Sequence, residues 1–400
     1  MKQKEIKSII ENIGSVISLS AISRTYFAKD KSWLYHKLNE DIVHGVKYAL
    51  TDEELQTLTE ALTDIAKRIT LSARELKKLK QKRERSKGRY LTEANPFSHR
   101  LFQEWFALIP PNATILEPFA GACNIPKLIN TLIANVSWAC YDIEPIKDKD
   151  YKTIKRDTLM RFPTGFKVCI TNPPFLAKNS ATRRKLAYPS TQYDDVYKLA
   201  LDVMLKNCDY VAAILPERFI TSGLFRDRLW SVVSIVNPLM FSDTDCPVCL
   251  AMFTPYCTPD FQLYIGDKYV GNYNELEDYS LHSYDKSPIQ WEFNNPVGEI
   301  GVICYDGYSN EGIKFVMGNS ITPERIKHSS RALTRVGGLP KHIPLRSFIA
   351  KCNKILAEYR RNTHDVFLTS FKGLRKDGKY RRRIDFKTVR QMMNKALQEF

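Results

Sequence analysis

The fold is decided by FKVCITNPPF, residues Phe166–Phe175. Its first half is a short apolar run that is typical of a buried strand. Its second half places the amide of Asn172, two prolines and an aromatic ring just past the carboxyl end of that strand, where open α/β sheets bind their ligands. Because the prolines fix φ, the Asn172 side chain and the Pro173 carbonyl are held in place as two acceptors for one planar amino group. Phe175 offers a flat face on which the ring that carries the amino group can stack.

Upstream of this motif, an acidic residue lies at the carboxyl end of each of three predicted strands. An apolar strand runs into Glu117 and then into small residues, which let a ligand approach the backbone closely, in ATILEPFAGAC, residues Ala113–Cys123. Asp142 ends a second strand about 20 residues later, the spacing at which nucleotide-binding folds place the acid that accepts ribose hydroxyl groups. Asp157 follows a third short strand. Each acid alone is also typical of a solvated strand end, but the ordered series indicates a nucleotide-like cofactor.

In this order the segments resemble the DNA N6-adenine methyltransferases, which are amino-methyltransferases that use S-adenosylmethionine. The resemblance covers residues 88–256 and follows the gamma arrangement, with the cofactor segments before the catalytic motif and a long segment after it. Ala122 and Cys123 stand where the family usually has a second glycine. The resemblance implies a Rossmann-like α/β methyltransferase domain with S-adenosylmethionine as its cofactor, and an Asn at the head of the motif favours adenine.

The resemblance also implies two sets of site residues. The catalytic set is Asn172, Pro173, Pro174 and Phe175. The cofactor set is Tyr90, Thr92, Glu117, Pro118, Phe119, Ala120, Gly121, Asp142, Ile143, Asp157 and Asn172. In the cofactor set, Glu117 faces the positively charged methionine part, Asp142 the ribose and Asp157 the adenine amino group. No metal is expected, because Cys246 and Cys249 lack a second ligand pair at zinc spacing.

The implied chemistry is an in-line displacement in which the target nitrogen attacks the sulfonium methyl group and S-adenosylhomocysteine leaves. The adenine amino group lies inside the duplex, so the base must flip out of the helix. The sequence therefore predicts a site-specific adenine DNA methyltransferase.

The composition is that of a protein with a full core. With 400 residues, of which 44% are hydrophobic, the chain is long enough for two or three domains. It has neither a secretory h-region nor an apolar run of transmembrane length. Nine cysteines at irregular spacing fit a reducing compartment. We expect a cytoplasmic protein of a bacterium, a phage or a mobile element, with no membrane partner.

The net charge of +16 is concentrated in the two ends of the chain. Residues 1–90 carry 19 Lys and Arg against 12 Asp and Glu, and residues 340–400 carry 16 against 5. Residues 91–339 carry 25 against 27 and are nearly neutral. Positive flanks around a neutral catalytic region suit a polyanion that is held on both sides of the active site. Solvated charge on exposed helices explains part of the N-terminal excess.

These patterns predict three domains. Residues 1–87 form a helical domain with the outline of a helix-turn-helix over residues 18–39, residues 88–257 form the catalytic domain, and residues 258–400 form a target-recognition region. In the first domain Lys31, Tyr35, His36 and Lys37 are candidates to contact DNA, and the alternative is a small module for association.

Four local features are also predicted. Ser32 is expected to cap the second helix of the helix-turn-helix, and Thr51 with Glu54 forms a capping box for a long helix with an apolar stripe that reaches Ile69. A basic loop is expected over residues 177–190, as either a phosphate clamp or an ordinary surface loop. A basic hairpin is expected over residues 367–383, with Asp377 and Gly378 at its turn.

Double-stranded DNA is the expected partner, and the sequence leaves the oligomeric state open. The alternatives are an RNA adenine or guanine methyltransferase, a protein glutamine-amide methyltransferase, and a catalytically silent DNA-binding regulator. The basic flanks disfavour a protein substrate. No nuclease motif is evident, so a restriction endonuclease partner would be a separate protein.

Overall fold

A computed structural model describes residues 3–14, 16–43, 45–86, 92, 94–236, 240–241, 246–307, 312–326 and 331–400. The chain divides into two compact units, residues 1–83 and 84–400. None of the helices in the described ranges is long and apolar enough to cross a membrane.

The first unit is helical. Its helices and its small two-stranded ladder are α1 (Gln3–Gly14), α2 (Leu19–Phe27), α3 (Trp33–Asn39), β1 (Ile42–Val43), β2 (Val46–Lys47) and α4 (Asp52–Ser86), of which α4 runs past the unit boundary. Ile22, Leu34 and Leu58 are buried at the centre of its core. The helices predicted within residues 18–39 are present as α2 and α3.

The capping predictions for this unit are confirmed at α4 and wrong at α3. The Glu54 N–H donates to Thr51 Oγ1 at 3.2 Å, and the Thr51 N–H donates to Glu54 Oε2 at 2.9 Å. Ser32 makes no capping bond, because its hydroxyl donates to the Asp30 carboxylate at 2.6 Å. The predicted apolar stripe of α4 ends before Ile69, whose side chain is mostly exposed.

Lys37, a predicted DNA contact, is occupied within the first unit. Its ammonium group donates to the Ala49 carbonyl and to Glu54 Oε2, each at 2.9 Å, and its side chain is only 14% exposed. Tyr35 is exposed, as a DNA-contacting residue requires.

The second unit is built on a nine-stranded sheet. Its strands are β3 (Ile115–Glu117), β4 (Trp138–Asp142), β5 (Thr153–Lys155), β6 (Val168–Thr171), β7 (Tyr210–Pro216), β8 (Leu229–Ile235), β9 (Val248–Phe253), β10 (Gln262–Ile265) and β11 (Lys268–Asn272). The order across the sheet is β11-β10-β8-β9-β7-β6-β3-β4-β5. Strands β3 to β7 are parallel to one another, β9 is antiparallel to both its neighbours, and β11 pairs antiparallel with β10 at the edge.

Every residue of β6, β7 and β9 is buried, as expected of central strands covered on both faces. The helices along the sheet are α5 (Arg100–Phe106), α6 (Asn124–Asn130), α7 (Lys178–Arg183) and α8 (Val196–Asn207). The predicted Rossmann-like α/β fold is therefore confirmed. The basic segment predicted as a loop over residues 177–190 contains the short helix α7, which is a correction.

The rest of the second unit has a core of its own. Its elements are α9 (Tyr273–Glu277), β12 (Glu292–Phe293), β13 (Ile300–Ile303), β14 (Lys314–Met317), β15 (Leu333–Gly337), α10 (Leu345–Asn362), β16 (Thr369–Leu374), β17 (Tyr380–Arg383) and α11 (Phe386–Leu397). Strands β12 to β15 form an antiparallel sheet that packs with α10 and α11. The predicted basic hairpin is confirmed as β16 and β17, and Gly378 in its turn has a φ of +77°.

The predicted domain boundaries stay predictions. The nine-stranded sheet continues past residue 257, because β10 and β11 extend it to Asn272.

A buried ion pair joins the C-terminal hairpin to the large sheet. Glu217, directly after β7, accepts two hydrogen bonds of 3.0 Å from the Arg382 guanidinium of β17, and the two side chains are 6% and 9% exposed. Burial alone would raise the pKa of Glu217, but Arg382 and the hydroxyl groups of Ser234 and Ser370 hold the pKa of this carboxyl below its usual value. The pair fixes where the hairpin sits on the end of β7.

Arg382→Met should lower the free energy of unfolding by roughly 3–5 kcal/mol, because it leaves the Glu217 carboxylate buried without its partner. The neighbouring Arg383 is exposed, so Arg383→Met serves as the control and should change stability by less than about 1 kcal/mol. Urea unfolding followed by tryptophan fluorescence measures both. The double variant Glu217→Gln/Arg382→Met should regain much of the lost stability. Equal losses of stability in Arg382→Met and Arg383→Met would contradict the role of the pair.

Candidate active site

The candidate site lies at the carboxyl ends of four neighbouring parallel strands. Glu117 ends β3, Asp142 ends β4, Asp157 lies two residues past β5, and Asn172 directly follows β6. Strands β4 and β5 lie on one side of β3, and β6 lies on the other. The chain therefore changes direction across the sheet between β3 and β6, and such a switch point opens a crevice for a ligand.

Glu117 lies deepest in this crevice and is 1% exposed. Its Oε1 accepts the Phe119 backbone N–H at 3.0 Å and a short hydrogen bond from the Thr171 hydroxyl. Burial is the main cause that raises the pKa of Glu117 to about 8, and these two hydrogen bonds oppose the rise. The carboxyl is thus neutral at neutral pH until a cation arrives next to it.

Asp142 holds the small-residue loop that follows β3. Its Oδ2 accepts the Gly121 N–H at 2.9 Å, and its Oδ1 accepts the Glu144 N–H at 2.8 Å. Gly121 has a φ of +52°, a conformation that glycine adopts without strain. The Ala120 N–H donates to the Tyr141 carbonyl at 2.9 Å, so the loop is also tied to β4 through the backbone.

The amide of Asn172 is oriented by Thr92. Asn172 Nδ2 donates to Thr92 Oγ1 at 3.2 Å, and the Thr92 carbonyl accepts from Asn124 Nδ2 at 2.7 Å. Thr92 is 3% exposed and forms an antiparallel bridge with Phe241. Because Thr92 holds the amide nitrogen, the amide oxygen points to the opposite side, as an acceptor of an amino group requires.

Phe175 packs into an aromatic cluster. Its ring makes edge-to-face contacts with Tyr197, at 6.2 Å between centroids, and with Phe241, at 6.4 Å. The residue is 9% exposed. Most of the ring surface that the sequence offers for stacking is therefore covered by neighbouring aromatic rings.

The remaining predicted residues take several positions. Pro118 and Ala120 are buried, Phe119 is partly buried, and the Pro118 carbonyl accepts the Thr158 hydroxyl at 2.9 Å. Asp157 is exposed, and its Oδ1 accepts the backbone N–H groups of Leu159 and Met160 at 3.1 and 3.2 Å.

The last two residues of the predicted cofactor set are Ile143 and Tyr90. Ile143 follows Asp142 and is 51% exposed, so an apolar side chain lies open beside the acid. Tyr90 lies outside the described residues.

Asp195 is a site residue that the sequence reasoning missed. Its Oδ1 accepts the N–H of Leu176 at 3.0 Å and the N–H of Tyr197 at 3.4 Å, and its Oδ2 pairs with Arg218. It thereby holds the residue after the catalytic motif, the first turn of α8 and the segment after β7 together. An Asp directly before an apolar helical run is an N-cap signal, and this signal identifies Asp195 in the sequence.

Within the described part of the chain, no group of three or more His, Cys, Asp or Glu side chains is arranged to hold a metal ion. The site offers a carboxyl, a carboxylate, an oriented amide and a small-residue loop.

The N-terminal unit matches a protein-family model. The model, described as a domain of unknown function (DUF5053), matches residues 6–76. No curated protein matches the chain.

Three solved structures illustrate what the chain is similar to. The methyltransferase subunit of a type I restriction-modification system from Streptococcus thermophilus has 12% identity over 44% of this chain and 48% of its own, with a TM-score of 0.33. A Listeria monocytogenes protein described as a class I S-adenosylmethionine-dependent methyltransferase has 14% identity over 66% and 93%, with a TM-score of 0.33. The M protein of the type I restriction enzyme EcoKI has 11% identity over 72% and 66%, with a TM-score of 0.30.

The chain spans about half the length of several type I restriction-modification chains that it matches, namely 46%, 54% and 48%. We therefore infer its function from the side chains of the site.

Glu117→Gln should change how stability depends on pH. A carboxyl whose folded pKa is raised contributes stability that is fully present below its unfolded pKa of about 4.5 and is lost as pH rises through about 8. Between pH 5 and pH 8 the free energy of unfolding of the wild type should therefore fall by roughly 3–5 kcal/mol more than that of Glu117→Gln. Urea unfolding at both pH values measures this difference. Glu104→Gln, at an exposed glutamate of α5, is the control, and parallel pH curves for the wild type and Glu117→Gln would refute the expectation.

Proposed function

We propose that this chain transfers a methyl group from S-adenosylmethionine to an exocyclic amino nitrogen of a nucleic acid base, with adenine N6 in double-stranded DNA as the substrate. The observation that carries the proposal is the oriented amide of Asn172, which Thr92 holds beside the buried carboxyl of Glu117. An acceptor for an amino group and an acid for a cationic cofactor thus adjoin at one switch point.

The residues of the crevice fit the proposed cofactor. Glu117 is a buried carboxyl with a raised pKa, and the ammonium and sulfonium groups of S-adenosylmethionine supply the positive charge that would ionise it. The Asp142 carboxylate lies at the end of β4 and accepts the backbone N–H groups of Gly121 and Glu144, and a carboxylate is an acceptor of the kind to which a ribose hydroxyl donates. Ile143 offers an exposed apolar side chain against which an adenine ring can pack. When bound, the cofactor supplies the electrophilic methyl group.

The catalytic residues act mainly by positioning. Asn172 Oδ1 and the Pro173 carbonyl accept the two N–H bonds of the amino group, which keeps the nitrogen lone pair out of conjugation and directed at the methyl group. No strong base is required beforehand, because the proton leaves after methyl transfer. Well-oriented reactions gain on the order of 7–11 kcal/mol in this way.

The target base must leave the duplex to reach Asn172. Unstacking costs about a few kcal/mol, and stacking on an aromatic side chain offsets it by about 1–3 kcal/mol. Phe175, Tyr197 and Phe241 form a buried aromatic cluster at the motif. Because Phe175 is largely covered, this step includes a rearrangement of its ring or of its neighbours.

The charge of the chain supports a nucleic acid rather than a protein substrate. The C-terminal residues 340–400 carry 16 Lys and Arg against 5 Asp and Glu, and this segment includes the hairpin fixed to the end of β7. We place the protein in the cytoplasm, where duplex DNA is accessible, and any restriction endonuclease partner would be a separate chain.

Asn172→Ala should abolish methyl transfer, with a loss of at least about a thousandfold, because one of the two acceptors of the amino group is removed. A methylation-free host that expresses the wild-type chain should contain N6-methyladenine at one repeated DNA sequence, as read by long-read sequencing, and the Asn172→Ala host should contain none. Asn207→Ala, at the exposed end of α8, is the matched control and should methylate normally. Full methylation by Asn172→Ala would remove the residue from the catalytic role.

Asp142→Ala should weaken cofactor binding about tenfold to a hundredfold, because it removes hydrogen bonds made by a charged group. Titration calorimetry with S-adenosylhomocysteine measures the affinity directly. Asp150→Ala changes an exposed carboxylate of the segment after β4 and should bind as the wild type does. Unchanged affinity in Asp142→Ala would exclude the residue from the cofactor site.

A further inference from the structure

A second concave surface lies in the same unit as the candidate active site. It is a cleft of about 1070 Å³ between the β10–β11 hairpin, the C-terminal end of α10 and the β16–β17 hairpin. Seven Lys and Arg but only three Asp line it. The site described above shares none of these residues.

Three of the seven cations in the cleft are structural. Arg360 binds Asp306 through two hydrogen bonds of 3.0 Å and Asp365 through two of 2.8 Å. Arg375 binds Asp306 at 3.1 Å, and the guanidinium of Arg382 is held by Glu217. This network anchors β16 and β17 to α10 and to the end of β7, so the wall of the cleft is held in one arrangement.

Three lysines in the cleft are not neutralised. Lys268 of β11 and Lys376 and Lys379 of the β16–β17 turn are exposed, and no described carboxylate lies within ion-pair distance of their ammonium groups. His364 lies among them: burial and then the charges of Lys268 and Lys379 lower its pKa. Lysines from two separate hairpins therefore line the same cleft, and two of them, Lys268 and Lys379, act on His364, which is a feature of a site for an anion.

The cleft opens at the same edge of the sheet as Asn172. Val236 follows β8 and Gly266 follows β10, and both strands run in the same direction as β6. Four strand spacings separate β6 from β10, which amounts to roughly 19 Å. Since phosphates along one strand of DNA are about 3.4 Å apart in rise, this distance corresponds to roughly six nucleotides.

We propose that this cleft binds the phosphodiester backbone of the DNA substrate, within roughly six nucleotides of the methylated base, through Lys268, Lys376 and Lys379. The inference rests on the proposed function, because it takes duplex DNA as the substrate. Lysine ammonium groups act as point charges for phosphate and carry no sequence information, so the cleft supplies affinity and alignment while other residues select the sequence.

The test compares two triple variants that remove the same charge. Lys268→Gln/Lys376→Gln/Lys379→Gln changes the cleft, and Lys286→Gln/Lys341→Gln/Lys354→Gln changes three exposed lysines of the same unit outside it. Affinity for a DNA duplex is measured by fluorescence anisotropy without cofactor at salt concentrations from about 50 to 200 mM. Removing three phosphate contacts should reduce the slope of log affinity against log salt by about 2.7, so the fall in affinity over this range should shrink about 40-fold relative to the wild type. The control variant should keep most of the wild-type slope.

The binding assay separates this inference from the proposed function. Absence of methylated DNA would overturn the proposed function, while the salt dependence of duplex binding still measures the cleft. Equal slopes for the cleft variant and the control variant would contradict the proposal that the cleft binds the DNA backbone. A wild type that fails to bind the DNA duplex would contradict it as well. A slope change seen with an RNA duplex but not with a DNA duplex would overturn the assignment to DNA. The cleft variant should retain the wild-type affinity for S-adenosylhomocysteine, which confirms that it is folded.

Discussion

The hydrogen bond from the Thr171 hydroxyl to the Glu117 carboxyl is the contact on which the rest of the candidate site depends. It joins the last residue of β3 to the last residue of β6 across the switch point of the sheet. Asn172 directly follows β6, so one contact positions both the acid that is proposed to face the cofactor and the amide that is proposed to face the substrate. Burial makes the charged form of the Glu117 carboxyl unfavourable, and this carboxyl lies where a cation is proposed to bind.

A second buried contact positions the C-terminal part of the unit. Arg382 and Glu217 place the basic hairpin on the end of β7, the strand next to β6. A buried ion pair contributes little net stability compared with a well-packed apolar pair. A docking position that separates the two partners, however, leaves a buried charge unpaired. Such a pair therefore selects one docking position for the hairpin, which in turn fixes the walls of the basic cleft relative to the catalytic motif.

The sequence predicts features that depend on neighbouring residues and fails where the partner is distant. The strand exits at Glu117 and Asp142 and the hairpin turn at Gly378 follow from short patterns, and the structure shows them. Arg382 and Glu217 are 165 residues apart in sequence, and Arg218 and Asp195 are 23 apart, so no local pattern identifies either pair. The same reason applies to Lys37, whose partners Ala49 and Glu54 lie 12 and 17 residues away. Ser32 is an exception, because the group that accepts its hydroxyl is Asp30, only two residues away.

In the second unit, the acidic groups of the candidate site and the lysines of the basic cleft lie in different places. In the proposed arrangement, Glu117 and Asp142 face a cation at the carboxyl ends of β3 and β4, while the lysines of the two hairpins face a polyanion. Because three strands lie between β6 and β10, a phosphate backbone held at the β10 side of the cleft, as proposed, stays away from the buried carboxyl. A base carries no formal charge, so it can enter an acidic crevice without the repulsion that a phosphate group would meet. This separation, as proposed, fits the charge of the chain, which is nearly neutral over residues 91–339 and strongly basic over residues 340–400.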